Sequence, residues 1–253
     1  MSIYLTGILW VVGAAAIGAL IGYLVRRFGG AEGREENNGA AGQAFTVVGG
    51  LHAVLVAFVL ISQFDLVSSA RDSSAAEANS LVAATWAADS LPDPVKTQMR
   101  QLSQAYADTV SGKEWPKMRD GFEIPNTGWT ELDQMRKLVA QARTDDDWQA
   151  DRKTEAANQL GQVYQARQAR LTAATSGDVE GVVWFALILG TLISVALVNL
   201  FGGTRLRGHI VIVSIMAGTI TLLLFAIYQL QNPYGGGAKL DPDAFSAARA
   251  RLT

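Results

Sequence analysis

The chain gathers its apolar residues into four blocks set apart by polar stretches. Ile3–Val25, Ala44–Phe64, Gly181–Gly203 and Ile210–Leu230 each run 21 to 23 residues without a Lys, Arg, Asp or Glu. Roughly 20 apolar residues cross a bilayer, so the pattern predicts four transmembrane helices. No basic residue precedes the first block and its apolar core is too long for a signal peptide, so it is expected to stay in the mature protein. The connections define the organisation. "RRFGGAEGREENNGAAG" joins the first two blocks and "TRLRGH" the last two, which makes each pair an antiparallel hairpin.

The expected layout is a transmembrane hairpin over residues 1–64 (spans 3–25 and 44–64), an extramembrane domain over 65–180, a second hairpin over 181–230 (spans 181–203 and 210–230) and a tail over 231–253. The domain reads as helical. From Asp65 onward no Pro or Gly interrupts a helix begun in the second span, and Leu66, Ala70, Leu81, Ala84, Ala88 and Leu91 recur at helical intervals. Pro92 ends it, since the residue before proline is pushed out of helical geometry. A second helix is predicted from Pro94 to about Gly112 and an irregular segment from there to Gly128. A third runs from about Thr130 to Arg143, and a fourth from about Asp147 to Thr175, ending at Ser176-Gly177. The fold class is therefore all-α: four transmembrane helices with an extramembrane helical bundle inserted between spans two and three.

Composition narrows the chemistry. The sequence has no cysteine and only two histidines, His52 and His209, which removes thiol chemistry and makes a transition-metal site improbable. No phosphate-cradling loop, zinc-hydrolase or nucleophile-elbow motif is present, so no enzyme activity, metal or cofactor is expected. The triplet Asp145–Asp147 lacks the spacing of a calcium loop and reads as a solvated helix start. A net charge of -2 and the lack of Lys/Arg-rich runs argue against a nucleic-acid partner. The short loops are flanked by Arg26, Arg27, Arg205 and Arg207, which places them in the cytoplasm and the helical domain outside by the positive-inside rule.

Candidate chemistry concentrates on the second span. Leu51, Phe58, Ser62, Asp65 and Ser69 sit at offsets 0, 7, 11, 14 and 18, one narrow stripe of a helix that changes from apolar to polar along its length. Polar groups avoid lipid. If several copies set this stripe around an axis, Leu51 and Phe58 form a dry constriction and Ser62, Asp65 and Ser69 a wet, negatively charged mouth. The alternative is that Ser62 bonds to its own helix, Asp65 sits at the headgroup level, and nothing is conducted.

His52 lies about 100° round the helix, with Val56, Val59 and Gln63. Its imidazole is expected to bond to a neighbouring span, with Thr219 and Thr221 on offer, or to line a water-filled cavity. Asn199, in the third span, needs a partner too. In the first span Ala14, Gly18 and Gly22 form a small-residue ridge suited to close helix packing.

The blocks "GGLHAVLVAFVLIS", "LSQAYADTVSGKEWPKM" and "ARQARLTAATSGDVEGVVWFALILGTLISVALVNLFGG" resemble a bacterial family of four-span membrane proteins labelled bestrophin-like. The resemblance covers nearly the whole chain; its most specific elements are Gly50–Leu55 and Glu114–Pro116. It implies an oligomeric ion channel, a pentamer in bestrophin chloride channels, whose second span lines the pore and whose large domain extends the vestibule. It also implies a cytoplasmic large domain, opposite to the loop-charge count. Two features depart from the family: Leu51 and Phe58 are the only bulky apolar residues on the stripe, and Asp65–Asp178 holds 13 Lys/Arg against 17 Asp/Glu. Carboxylates at a mouth concentrate cations.

Three function classes follow. The first is a homo-oligomeric ion channel, a tetramer or pentamer in the bacterial inner (plasma) membrane, passing inorganic ions and favouring cations. The second is a membrane-anchored sensor or scaffold whose helical domain binds a ligand or partner protein. The third is a proton-driven motor subunit, for which His52 would have to carry the proton path.

Overall fold

The computed structural model describes residues 2–28, 38–175, 179–202 and 205–253. The loop centre between the first two spans, Ser176-Gly177 and the turn before Arg205 lie outside the described residues. The described residues form helices and no strand: α1 (Ile3–Phe28), α2 (Asn38–Ala88), α3 (Val95–Thr109), a π-helical turn (Val110–Glu114), α4 (Trp115–Asp120), α5 (Thr127–Gln141), α6 (Asp147–Thr175), α7 (Gly181–Val198), α8 (Leu206–Leu230) and α9 (Asp243–Arg251). Four of them, α1, α2, α7 and α8, are long and apolar enough to cross a membrane, as the four blocks predict. The chain divides into two compact units, Met1–Phe64 with Val179–Gln231, and Asp65–Asp178 with Asn232–Thr253.

In the first unit α1 lies along α8. Gly7, Gly18 and Gly22 are buried on α1, and Ala217 and Gly218 on α8. A Cβ at Gly18 would stand 2.9 Å from the Ala217 Cβ and 3.2 Å from the Val213 carbonyl oxygen, so the two backbones touch where the ridge predicted close packing. In lipid this direct van der Waals contact substitutes for the hydrophobic driving force that water would supply. A separate core forms where Val56 of α2, Leu187 of α7 and Ile227 of α8 meet, flanked by Leu60, Val183 and Leu224.

The second unit is a helical bundle around an ionic centre. α6 buries Ala156, Leu160, Val163, Arg167, Arg170 and Ala173 on one face, so two arginines occupy positions of an apolar stripe. They meet Glu77 of α2 and Glu114 of the π turn, and all four side chains are fully buried. Arg167 donates to both carboxylate oxygens of Glu114 at 2.6 and 3.0 Å. Arg170 donates to both oxygens of Glu77 at 2.6 and 3.0 Å and to Glu114 at 2.9 Å. The buried Tyr106 hydroxyl donates to Glu77 at 2.6 Å. Aromatic faces complete the surroundings, with Trp129 4.6 Å from the Arg167 guanidinium and Phe245 5.6 Å from that of Arg170. Charges this deep persist only when paired and hydrogen-bonded.

The π turn corrects the expectation that the helix stops near Gly112 and gives way to an irregular segment. The helical path continues through the turn into α4, and the wider turn brings Glu114 inward, onto the arginines. Pro116 stands in the first turn of α4, directly after the π turn, where the hydrogen-bond ladder changes register and a missing N–H is tolerated. The helix ends at Gly121, whose φ of 72° is left-handed. Gly128 at the start of α5 is also dictated by the cluster, for a Cβ there would lie 2.5 Å from a Glu114 oxygen and 2.7 Å from Arg167 nitrogens. At α6, Asp146 accepts the Gln149 backbone N–H at 2.7 Å, so the acidic triplet caps a helix.

Of residues 231–253, expected only as a tail, all but Gln231 belong to the second unit. Tyr234 and Phe245 are buried against Trp115 at 5.1 and 6.0 Å between ring centroids. Trp115 donates its indole N–H to the Leu240 carbonyl at 2.8 Å, and the Tyr234 hydroxyl donates to the Arg170 carbonyl at 3.3 Å. Burial pushes the Tyr234 phenol up to about 12.

Two outcomes follow. Gly18→Leu forces α1 from α8 and is expected to destabilise the purified protein by about 1–3 kcal/mol in detergent unfolding. Glu114→Ala strips Arg167 of its bidentate partner and leaves Arg170 with Glu77 alone, and is expected to cost about 3–5 kcal/mol in the same measurement. Burial pushes the Glu114 carboxyl up, but hydrogen bonds from Arg167 and the charges of Arg170 and Arg167 outweigh it and hold it below its ordinary value of 4.5. Its contribution is therefore complete above pH 4.5 and fades as pH falls from there through the depressed folded value. An acid titration of unfolding should show this loss in the native protein and not in the alanine variant.

Candidate functional site

α2 carries the candidate stripe and its polar neighbours on different faces. In the first unit Leu51 and Phe58 are each 69% exposed, and Ser62 is exposed with them. In the second unit Asp65 and Ser69 are exposed as well. None of the five is buried. The same spacing continues along α2 through Asp72, Ala76, Asn79 and Trp86, all exposed. From Phe58 to Asn79 the steps are alternately four and three residues, a 3.5-residue repeat. Such a repeat keeps one seam of a helix facing a common axis. The seam carries two carboxylates a heptad apart, Asp65 and Asp72, and no basic residue.

A second face of α2, about 100–140° round from the stripe, holds polar residues that the structure buries. His52 and Gln63 are 8% and 7% exposed and share that face with Val56 at 4%. The His52 partner differs from the expected Thr219 or Thr221. Its Nε2 lies 3.3 Å from the Thr191 hydroxyl of α7. The reason is Gly190, which leaves the imidazole room to reach the α7 backbone; a Cβ at Gly190 would collide with the ring. A cavity of ≈ 550 Å³ runs beside the ring, lined by α2 from Phe45 to Leu60, Ser194 of α7 and Met216, Ile220 and Leu223 of α8.

Asn199, at the C-terminal end of α7, finds its partner in the other histidine. Its side-chain oxygen accepts from His209 Nε2 at 3.1 Å, and its amide donates to the Val195 carbonyl at 2.8 Å. Both residues are buried, at 6% and 2% exposed. Arg26 of α1 donates to the Phe201 carbonyl at 2.7 Å, and Asn38 accepts the Gly202 N–H at 2.7 Å. These bonds tie the α7 end to α1, α2 and α8. The structure therefore separates the candidate residues into an uncovered seam and a buried polar set. His52, Gln63 and Asn199 belong to helix packing within the unit.

The residues that sequence reasoning passed over are Glu77, Arg167 and Arg170. Their signal was present, since each falls at helical spacing among apolar or small positions: Arg167 and Arg170 after Ala156, Leu160 and Val163, and Glu77 between Ala70 and Leu81.

The chain matches the family model of the Bestrophin-like domain over residues 12–245. No curated protein matches it. Among solved structures it is similar to a single-substitution variant of a bacterial bestrophin homolog from Klebsiella pneumoniae, with a TM-score of 0.69 and 13% identity over 100% of this chain and 98% of that one. It is also similar to a single-substitution variant of a membrane protein, with a TM-score of 0.68 and 12% identity over 100% and 98% of the two chains. The fold is that of a channel-type membrane protein, and the match over most of its length means that the chain belongs to the bestrophin-like family.

Proposed function

We propose that this chain is one subunit of a homo-oligomeric ion channel, a tetramer or pentamer spanning the bacterial inner membrane, with α2 lining a central pore. The observation that carries this reading is the uncovered seam of α2. Leu51, Phe58, Ser62, Asp65 and Ser69 are all exposed on α2. Polar groups at the exit of a membrane span need water or protein beside them, and copies of the same seam around one axis supply both. Each seam position then becomes a ring. The Phe58 and Leu51 rings form a dry constriction, and Ser62, Asp65, Ser69 and Asp72 line a hydrated stretch beyond it.

The charge on the seam sets the sign of the permeant ion. Two carboxylates per subunit and no Lys or Arg place several negative charges in a narrow space bounded by low-dielectric walls. Such a space focuses a negative potential, so cations are concentrated in the mouth and anions excluded from it. Inorganic cations are thus the favoured substrate.

Purified protein in liposomes tests the reading directly. Phe58→Ala is expected to raise single-channel conductance severalfold, because it removes the bulkiest ring on the membrane-spanning part of the seam; an unchanged current takes Phe58 out of the constriction. Asp65→Asn is expected to lower the cation-over-anion permeability ratio by roughly tenfold. Reversal potentials that stay put under asymmetric salt count against a charged mouth. A monomer that carries no flux favours the scaffold reading.

A further inference from the structure

His52 is held in a seat that fits only one of its protonation states. The Thr191 hydroxyl donates its single proton to the Leu187 carbonyl at 2.7 Å. With its proton on that shorter bond it accepts from His52, which assigns the 3.3 Å contact to the tautomer that carries its hydrogen on Nε2. A neutral imidazole has one such hydrogen, which leaves Nδ1 as a bare lone pair. That atom is buried without a hydrogen-bond partner and faces Gly190, where the α7 backbone closes over it. Adding a proton would put an N–H where no acceptor is available. It would also place a full charge inside a membrane span, which costs several kcal/mol at least.

Nothing around the ring offsets such a charge. The α7 neighbours are Gly190, Thr191 and Leu187, with Ser194 one turn on. Across the adjoining cavity α8 presents Met216, Ile220 and Leu223, and α2 itself presents Gly49, Ala53 and Val56. Among the described residues around the seat there is no titratable or charged side chain besides His52. The other histidine, His209, is engaged with Asn199. α2 is thus fixed to α7 at mid-span by a bond whose geometry demands the neutral ring.

We propose that His52 is a proton-sensitive latch between α2 and α7. The neutral imidazole seats α2 against Gly190 and Thr191, and when the two helices part, a proton taken up at the uncovered Nδ1 keeps the ring from reseating. The link to conduction rests on the pore reading above, since α2 is the helix assigned to the pore. The latch itself does not depend on it.

The sequence has no cysteine, so a spin-label pair at Val54→Cys and Leu192→Cys, both exposed positions on α2 and α7, reports the separation of the two helices. In the reconstituted full chain the pulsed-EPR distance distribution is expected to shift between about pH 7.5 and about pH 4.5, on either side of the ordinary histidine range. His52→Gln should abolish the shift. Thr191→Val, which removes the acceptor, should move the neutral-pH distribution toward the acid one. Identical distributions at both pH values overturn the latch, as does a shift that survives in His52→Gln. Ion flux measured on the same liposomes is expected to change by about tenfold across the range. A distance shift without any flux at either pH supports the latch and counts against the pore.

Discussion

Two arginines and two glutamates sealed from water govern the second unit. A lone guanidinium or carboxylate in such a place is very unfavourable, yet Arg167, Arg170, Glu77 and Glu114 are arranged so that nearly every polar atom meets an opposite charge or the Tyr106 hydroxyl. The arrangement dictates its surroundings. α6 must present two arginines three residues apart on its inner face, and the π turn must deliver Glu114 to the same point. α5 must begin with a glycine so that the Glu114–Arg167 pair has room. Tyr234 and Phe245 of the C-terminal segment pack on Trp115 of α4 and close the site. A buried ionic core contributes little net stability compared with apolar packing; its effect here is on register, because a slip of one residue in α6 leaves charges unmatched.

The membrane unit solves a different problem with smaller means. Its helices cannot rely on expulsion of water, so they rely on closeness and on a few hydrogen bonds. Gly18 lets α1 touch α8, Gly190 lets His52 reach α7, and Asn199 holds His209. In the first unit these contacts use the inward faces of α1, α2, α7 and α8. The outward seam of α2 receives none of them.

Much of this organisation was legible from residue order. Four runs free of charge announced the spans, because a single Lys or Asp in mid-bilayer is costly enough to be avoided. The stripe on α2 could be drawn from helical periodicity, and α6 from its acidic start at Asp146-Asp147. What escaped were contacts that join distant parts of the chain. Arg170 and Glu77 are 93 residues apart and Arg167 and Glu114 are 53 apart; each looks locally like an ordinary solvated charge. The π turn was missed because Gly112 and Pro116 are helix breakers in most settings, and only the pull of the arginines on Glu114 overrides them. The His52 partner was missed for a related reason: Thr191 differs little from Thr219 or Thr221 in a sequence, and it is the absent side chain of Gly190 that decides among them.

The ionic core also orders events in time. Synthesis runs from the N-terminus, so Glu77 leaves the ribosome long before Arg170 exists. Until α6 is made, the upper part of α2 carries a carboxylate with nothing to neutralise it, and no subset of α2, α3 and the π turn can close dry. The ionic centre can therefore close only once α6 has emerged, and until then Glu77 and Glu114 must stay in contact with water.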